Sequence, residues 1–269
     1  LPELLDAAVR HYRARFLPFL LPFLPMAAMD VVGIALFGSF LMFLATLGET
    51  AEPDFEAVGG FLGWMALLGV FVIIRQAAFV LGFGAAVLQA GNDLAGRTLA
   101  PREAWMQSGT RFWPAVGAGV LYVMIVTLGL VLFIIPGIWL AVRFALTGHA
   151  LFLEGIGAGS AISRSAELMR GAFWRGAGVA LVVTVVNMGL GTISTVLQEV
   201  GNLFVDEEGA LGTGFFALTG ASFVVATIVG LLLTPLYALL YTHFYWDLRV
   251  RKEGLDLDTQ LTRLESVSP

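Results

Sequence analysis

Four polar side chains stand inside long apolar runs: Asp30, Arg75, Arg143 and Asn187. An ionised group is costly in a bilayer and disfavoured facing lipid, so such residues turn toward one another, toward water or toward a ligand. Counting the helical rise from the inner ends of their runs puts Asp30, Arg75 and Asn187 at a common depth, on the order of 20 Å, with Arg143 nearer the outer face. A layer of this kind suits an anion or lipid-headgroup site, or a proton-coupled path through Asp30. It equally suits a buried polar brace that holds a helix bundle in register. Arginine does not release protons and no second intramembrane carboxylate accompanies Asp30, which favours the brace. Asp30 can neutralise only one of the two arginines, so the other needs carbonyls, water, Asn187 or an anionic ligand.

A second set of residues has the chemistry of phosphate recognition. Arg102 and Arg111 lie beside Trp113, and Arg164, Arg170 and Arg175 lie beside Trp174. At the cytoplasmic leaflet such groups can hold anionic lipid phosphates, although the same arginines also serve ordinary topology determination. Glu154 lies within reach of Arg164 or Arg170, and an exposed pair there contributes only about 0–1 kcal/mol.

These residues are positioned by apolar segments. The 269 residues are 58% hydrophobic and 13% charged, where soluble domains are about one quarter charged; this is an integral membrane protein. The spans expected are Phe16 to Leu47, Val58 to Ala90, Phe112 to Ile135, Ile138 to Leu153, Phe173 to Val200 and Leu211 to Trp246. About 20 apolar residues suffice to cross, so the first, second and sixth tilt, kink or project. Pro18, Pro22 and Pro25 predict a kink in the first, Thr234-Pro235 one in the sixth, and Pro136-Gly137 a tight turn between the third and fourth. The run after Arg10 to Arg15 is too long for a signal peptide and reads as a span. Membrane sequence occupies 1–246, with a short cytoplasmic tail over 247–269.

Charge orients the spans. Arg10, Arg13 and Arg15, then Arg97, Arg102 and Arg111, then Arg164, Arg170 and Arg175, then Arg249, Arg251, Lys252 and Arg263 occupy alternate polar segments. The intervening segments carry only acidic residues or none. Lys and Arg stay cytoplasmic, which puts both termini inside. The net charge of -5 averages an acidic outer face and a basic inner one and does not point to nucleic acid.

Three inner segments repeat a pattern: a short amphipathic stretch, an aromatic residue or pair, then an outward span. The aromatic positions are Arg15-Phe16, Arg111-Phe112-Trp113 and Phe173-Trp174-Arg175. The expectation is all-α, with six transmembrane helices in three hairpins, each introduced by a cytoplasmic interfacial helix.

Other chemistry is thinly represented. The absence of cysteine excludes disulfides and thiolate sites. The histidines, His11, His149 and His243, are far apart in sequence, and His243 between Tyr241 and Tyr245 reads as a boundary hydrogen-bonder with no metal-ligand spacing. Gly155-x-Gly157-x-Gly159 lacks the preceding strand of a dinucleotide loop and reads as a turn. No nucleophile-base arrangement, cofactor motif or metal set appears.

Two segments carry a family resemblance. One runs from Ile135-Pro136-Gly137-Ile138-Trp139 to Arg143-Phe144 and on through Leu153-Glu154-Gly155 to Arg164, Arg170 and Gly171. The other joins Thr234-Pro235-Leu236 to Tyr245-Trp246-Asp247-Leu248-Arg249 and Asp256. Over roughly Arg75 to Leu261 the chain resembles the membrane domain of bacterial glycerophosphoryl diester phosphodiesterases in its stand-alone form, and related inner-membrane proteins of unknown function. The resemblance implies a six-span domain in a bacterial cytoplasmic membrane. It does not imply the phosphodiesterase reaction, which in the family belongs to a soluble barrel domain. The function expected is non-catalytic: an accessory or scaffold subunit, or a lipid-organising domain, with anionic lipids and membrane proteins as partners. A small transporter or channel using Asp30, Arg75, Arg143 and Asn187 is the alternative, and an intramembrane lipid enzyme a distant third.

Overall fold

A computed structural model describes residues 2–48, 55–204 and 213–254, and every element among them is helical. Among the described residues six stretches are long and apolar enough to cross a membrane: Phe16–Leu44, Phe55–Leu94, Phe112–Leu132, Ile134–Glu154, Phe173–Asn202 and Gly214–Glu253. Backbone groups without water must bond within their own segment, and an apolar helix achieves this. Residues 49–54 and 205–212, with the acidic residues Asp206, Glu207 and Glu208, lie outside the described residues.

In chain order the helices are α1 (Pro2–Ala14), α2 (Phe16–Leu20), α3 (Leu24–Gly48), α4 (Phe55–Leu94), α5 (Pro101–Thr110) and α6 (Phe112–Leu132). They continue as α7 (Ile134–Arg143), α8 (Thr147–Glu154), α9 (Ala158–Met169), α10 (Phe173–Asn202) and α11 (Thr213–Glu253). The repeat reappears as secondary structure. One to three residues separate each of α1, α5 and α9 from a following helix that begins on a phenylalanine: Phe16, Phe112 or Phe173. Arg15 and Arg111 occupy the breaks with non-helical backbones, and Gly171 supplies the third break with φ +76°.

Pro18, Pro22, Pro25 and Pro136 fall where a missing N–H costs little. The expected first span is divided into α2, a 3-10 turn over Leu21–Phe23, and α3, with Pro18 in the first turn of α2, Pro22 in the 3-10 turn and Pro25 in the first turn of α3. The expected turn at Pro136-Gly137 is displaced. The reversal occurs at Phe133, extended at φ −157° and ψ 134°, and Pro136 lies in the first turn of α7. The fourth span is likewise divided, with turn residues 144–146 between α7 and α8. Helix α11 continues through Pro235 and past Trp246 to Glu253, so residues 247–253 of the expected tail prolong the last helix.

Two compact units emerge, and α4, α10 and α11 each contribute residues to both. The first comprises Leu1–Pro22, Phe83–Val183 and Pro235–Pro269; the second comprises Phe23–Gly82 and Thr184–Thr234. The first holds most of the buried core. Tyr12, Phe19, Ala90 and Leu239 cluster there, and Leu146, Leu151, Leu168 and Leu248 are almost fully enclosed. Its α6–α7 reversal is close: a Cβ added to Gly137 would lie 2.5 Å from the Leu130 backbone nitrogen. Around that reversal Leu132, Phe133, Ile134 and Ile135 are 69% to 82% exposed, a surface suited to hydrocarbon.

In the second unit α3 and α4 run antiparallel, since Asp30 meets Arg75 while Phe40 meets Trp64 at 6.0 Å between rings. Helix α11 joins them through Phe37 and Phe223, 5.4 Å apart. Helix α10 reaches α11 through Gln198 Nε2, which donates to Ser222 Oγ at 3.4 Å.

The α6–α7 reversal yields a test. Gly137→Ala forces a backbone shift at Leu130 and should destabilise the protein by about 1–3 kcal/mol, read as a lower melting temperature in detergent. Gly119→Ala, where a Cβ meets nothing within 4 Å, should leave it unchanged. Equal melting temperatures would contradict the packing.

Candidate functional site

The second unit contains a cavity of about 660 Å³ bounded by α3, α4 and α11. Its walls are mostly apolar, from Ile34, Phe37, Leu68, Phe71, Phe79 and Phe223. Among the lining residues only Asp30 and Arg75 carry charge, with Gln76, Thr227 and Thr234 as neutral polar groups. Arg75 Nε donates to Asp30 Oδ1 at 2.5 Å, and Nη1 donates to Gln76 Oε1 at 3.3 Å. The contact with Asp30 is one-point and leaves Nη2 without a partner among the described residues. Arg75 is 34% exposed and Asp30 15%, so the pair is accessible from the cavity. Gly230, one helical turn from Thr234 and Thr227, leaves open space in the wall.

Of the four intramembrane residues singled out in the sequence, Asp30 and Arg75 therefore meet. Arg143 belongs to the first unit, where its guanidinium lies 4.7 Å from the ring centroid of Trp139, one turn earlier on α7. Asn187 lies at an exposed position of α10 and does not line the cavity. Nothing in the residue spacing signalled the contributions of Gln76, Thr227 and Thr234, which are unremarkable polar residues in apolar runs.

The first unit gathers charge differently. Glu154, at the end of α8, accepts hydrogen bonds from Arg164 Nε on α9 at 2.8 and 3.0 Å and from the Tyr245 hydroxyl on α11. Arg164 also contacts Glu253, which takes a 2.8 Å bond from Arg249 Nε. The Arg249 guanidinium lies over Trp246 and Tyr245, at 5.4 and 5.8 Å. Lys252 Nζ donates to the carbonyls of Glu167 and Arg170 at the end of α9, where a cation is favoured by the helix dipole. Burial works against the Arg164 charge, but hydrogen bonds to Glu154 and Glu253 outweigh it and hold the guanidinium above its usual range. The Glu154–Arg164 contact expected as an exposed pair is instead mostly enclosed, with the two side chains 17% and 20% exposed. Tertiary packing of α11 against α8 and α9 accounts for the difference.

Gly155 supports this network. It ends α8 in the left-handed conformation at φ +72°, and a Cβ there would collide with the Arg111 guanidinium, which donates to the Leu151 carbonyl at 3.1 Å. Arg175 pairs with Asp247 at 2.7 Å. Arg102 and Arg170 are exposed, as are Trp113 and Trp174, at 78% and 84%. Of the seven headgroup candidates, Arg111, Arg164 and Arg175 are thus engaged within the protein, while Arg102, Arg170 and the two tryptophans present themselves outward.

A further cluster had no signal in the residue spacing. His11 on α1 lies between His243 on α11, at 3.1 Å, and Asp93 on α4, at 3.2 Å. Arg15 also contacts Asp93, which is 7% exposed. An imidazole whose two nitrogens face a carboxylate and another imidazole serves as a directional bridge, here tying α1 to α4 and α11. The partners are separated by 82 and 232 positions.

The helical architecture, the six apolar spans and the charge held away from water define a multi-pass helical membrane protein. Residues 120–266, more than half of the chain, match the family described as the membrane domain of glycerophosphoryl diester phosphodiesterase, and the chain belongs to that family. The matched region contains the Glu154–Arg164–Tyr245–Glu253 network and excludes Asp30 and Arg75. The family is defined on the membrane domain, apart from the catalytic one. No curated protein and no solved structure matches the chain.

The Glu154 network is testable by a double-mutant cycle. Glu154→Gln and Tyr245→Phe should each lower stability by about 1–3 kcal/mol, because the first removes the charge that Arg164 and Tyr245 bond to and the second removes a charge-assisted hydrogen bond from an enclosed site. Their combination should cost less than the sum by about 0.5–3 kcal/mol. Additive losses in thermal unfolding would show the two groups to be independent.

Proposed function

We propose that this protein is a non-catalytic lipid-binding domain of a bacterial inner membrane, acting as an accessory subunit beside a partner enzyme. The observation that carries this reading is the cavity of about 660 Å³ in the second unit, apolar in its walls and bearing one ion pair. Its dimensions fall in the range of small-molecule sites, roughly 300–1,000 Å³, and its mixture of apolar lining with a few polar groups is that of an amphiphile site. The family supports the same direction, since its name couples the membrane domain to a diesterase of glycerophosphoryl compounds. The outward Arg102, Arg170, Trp113 and Trp174 fit anionic headgroups of the inner leaflet. A transporter or channel is the second reading, favoured by one feature: Arg75 lines an accessible cavity and is not sealed in a dry pair.

The proposed topology has three hairpins with both termini cytoplasmic and α1, α5 and α9 along the inner surface. It is supported by the alternating arginines, the thrice-repeated break before a phenylalanine and the antiparallel contacts of α3 with α4.

Lipid occupancy is tested by native mass spectrometry of protein extracted in mild detergent. The wild type and Gly230→Ala should retain lipid, and Gly230→Phe, which fills the open space, should lose it while keeping its melting temperature. Equal lipid retention in all three would refute a cavity ligand. Flux of a solute across proteoliposomes would favour the transporter. Topology is accessible because the chain has no cysteine. A single Arg102→Cys or Arg170→Cys should react with an impermeant maleimide only when the inner face is opened, and Glu56→Cys from outside. The reverse pattern would overturn the orientation.

A further inference from the structure

The ion pair in the cavity sorts the ligands that can occupy it. Arg75 gives Nε to Asp30 Oδ1 and Nη1 to Gln76. Its Nη2 and the second carboxylate oxygen of Asp30, Oδ2, take part in no hydrogen bond among the described residues, so the pair keeps one donor and one acceptor available. Both side chains reach the cavity, Arg75 with 34% and Asp30 with 15% of its surface exposed. The lining adds no further charge: α3 supplies Asp30, α4 supplies Arg75 with neutral Gln76, and α11 supplies Thr227 and Thr234 as its polar groups. The rest of the lining is apolar. Coulomb interactions are several-fold stronger in such surroundings than in water, and a charge without a counterpart is costly there. An anion at Nη2 brings a second negative charge beside Asp30, with a single cation between them. A cation at Oδ2 does the converse beside Arg75. A head that carries both charges meets both partners and leaves the site neutral.

Resting on the reading of the cavity as a lipid site, we infer that its ligand is a zwitterionic amphiphile, with an acidic oxygen and a primary ammonium in one head. The acidic oxygen accepts from Arg75 Nη2 and the ammonium donates to Asp30 Oδ2, so positive and negative groups alternate around the site. Both contacts are charge-assisted hydrogen bonds, stronger than their neutral counterparts. A quaternary ammonium has no N–H to give and leaves Oδ2 without a donor. An alcohol head forms hydrogen bonds but matches neither charge. The Gln76 amide and the hydroxyls of Thr227 and Thr234, about two turns apart on α11, offer donors to the other oxygens of the head. The hydrocarbon chain lies against Ile34, Phe37, Phe71 and Phe223. Phosphate and carboxylate acids share this chemistry.

The test uses the full chain in detergent micelles with hexadecanoyl lysolipids that differ only in the head, their binding read by native mass spectrometry. The wild type should bind lysophosphatidylethanolamine about tenfold more tightly than anionic lysophosphatidylglycerol, quaternary lysophosphatidylcholine or uncharged monoacylglycerol, since one hydrogen bond to a charged group corresponds to roughly a decade in affinity. Asp30→Asn removes the partner of the ammonium and should reverse the order, favouring lysophosphatidylglycerol over lysophosphatidylethanolamine. Arg75→Gln should abolish the advantage of lysophosphatidylethanolamine over hexadecylamine, which carries the cation alone. Competition between lysophosphatidylethanolamine and O-hexadecylserine distinguishes a phosphate from a carboxylate source. Equal wild-type affinity for the ethanolamine head and for the glycerol or choline head would overturn the inference, as would an unchanged order in Asp30→Asn. If the variants fail to fold, the wild-type series of heads alone decides. Lipid lost on Gly230→Phe with no head preference in the wild type would leave the cavity reading intact and refute the zwitterion. A head preference that survives Gly230→Phe would put the lipid elsewhere and refute both.

Discussion

A charge taken out of water must be matched by another group, and most of the polar architecture of this protein answers that requirement. Helices satisfy the backbone within each span, which leaves the ionised side chains as the groups still to be matched. The first unit does so by mutual saturation. Glu154, Arg164, Tyr245, Arg249 and Glu253 form a connected set across α8, α9 and α11. Asp93 takes Arg15 and His11 together. In such networks each member's removal strands the others, so they set the relative positions of helices more than they add net stability.

The second unit follows the same requirement incompletely. Asp30 and Arg75 are joined by one contact at Nε, beside a cavity that few buried residues fill. Where a core is tightly packed a half-used guanidinium would be an uncompensated cost. At the edge of an open cavity the remaining donor stays available, and in this the Asp30–Arg75 pair differs from the saturated network of the first unit. The family match takes in segments of both units, with the Glu154 network among them, and stops short of the Asp30–Arg75 pair.

Several local expectations shifted for identifiable reasons. Pro136 predicts a turn because proline ends helices, yet it is accepted in the first turn of α7, where its missing N–H has no partner to lose. The chain reverses at Phe133 instead. Glu154 and Arg164 look like a surface pair by their separation of ten residues. Their enclosure comes from Tyr245 and Glu253, about ninety positions away, which no local pattern announces. His11 and His243 read as unrelated for the same reason.

Hydropathy, proline positions and the alternating arginines are properties of successive residues. From them alone follow the helical class, the six spans, the three preceding helices and the expectation of orientation. Depth is also local, because each helical residue advances the chain by about 1.5 Å, so Asp30 and Arg75 could be assigned similar heights before any fold was known. Lateral neighbours are not local. Two residues at the same height meet only if their helices are adjacent and rotated toward each other, and that depends on side-chain packing over the whole contact. Tertiary structure therefore decided that Asp30 faces Arg75 across a cavity, that Arg143 rests on Trp139 in the other unit, and that Glu154 lies at the centre of a network.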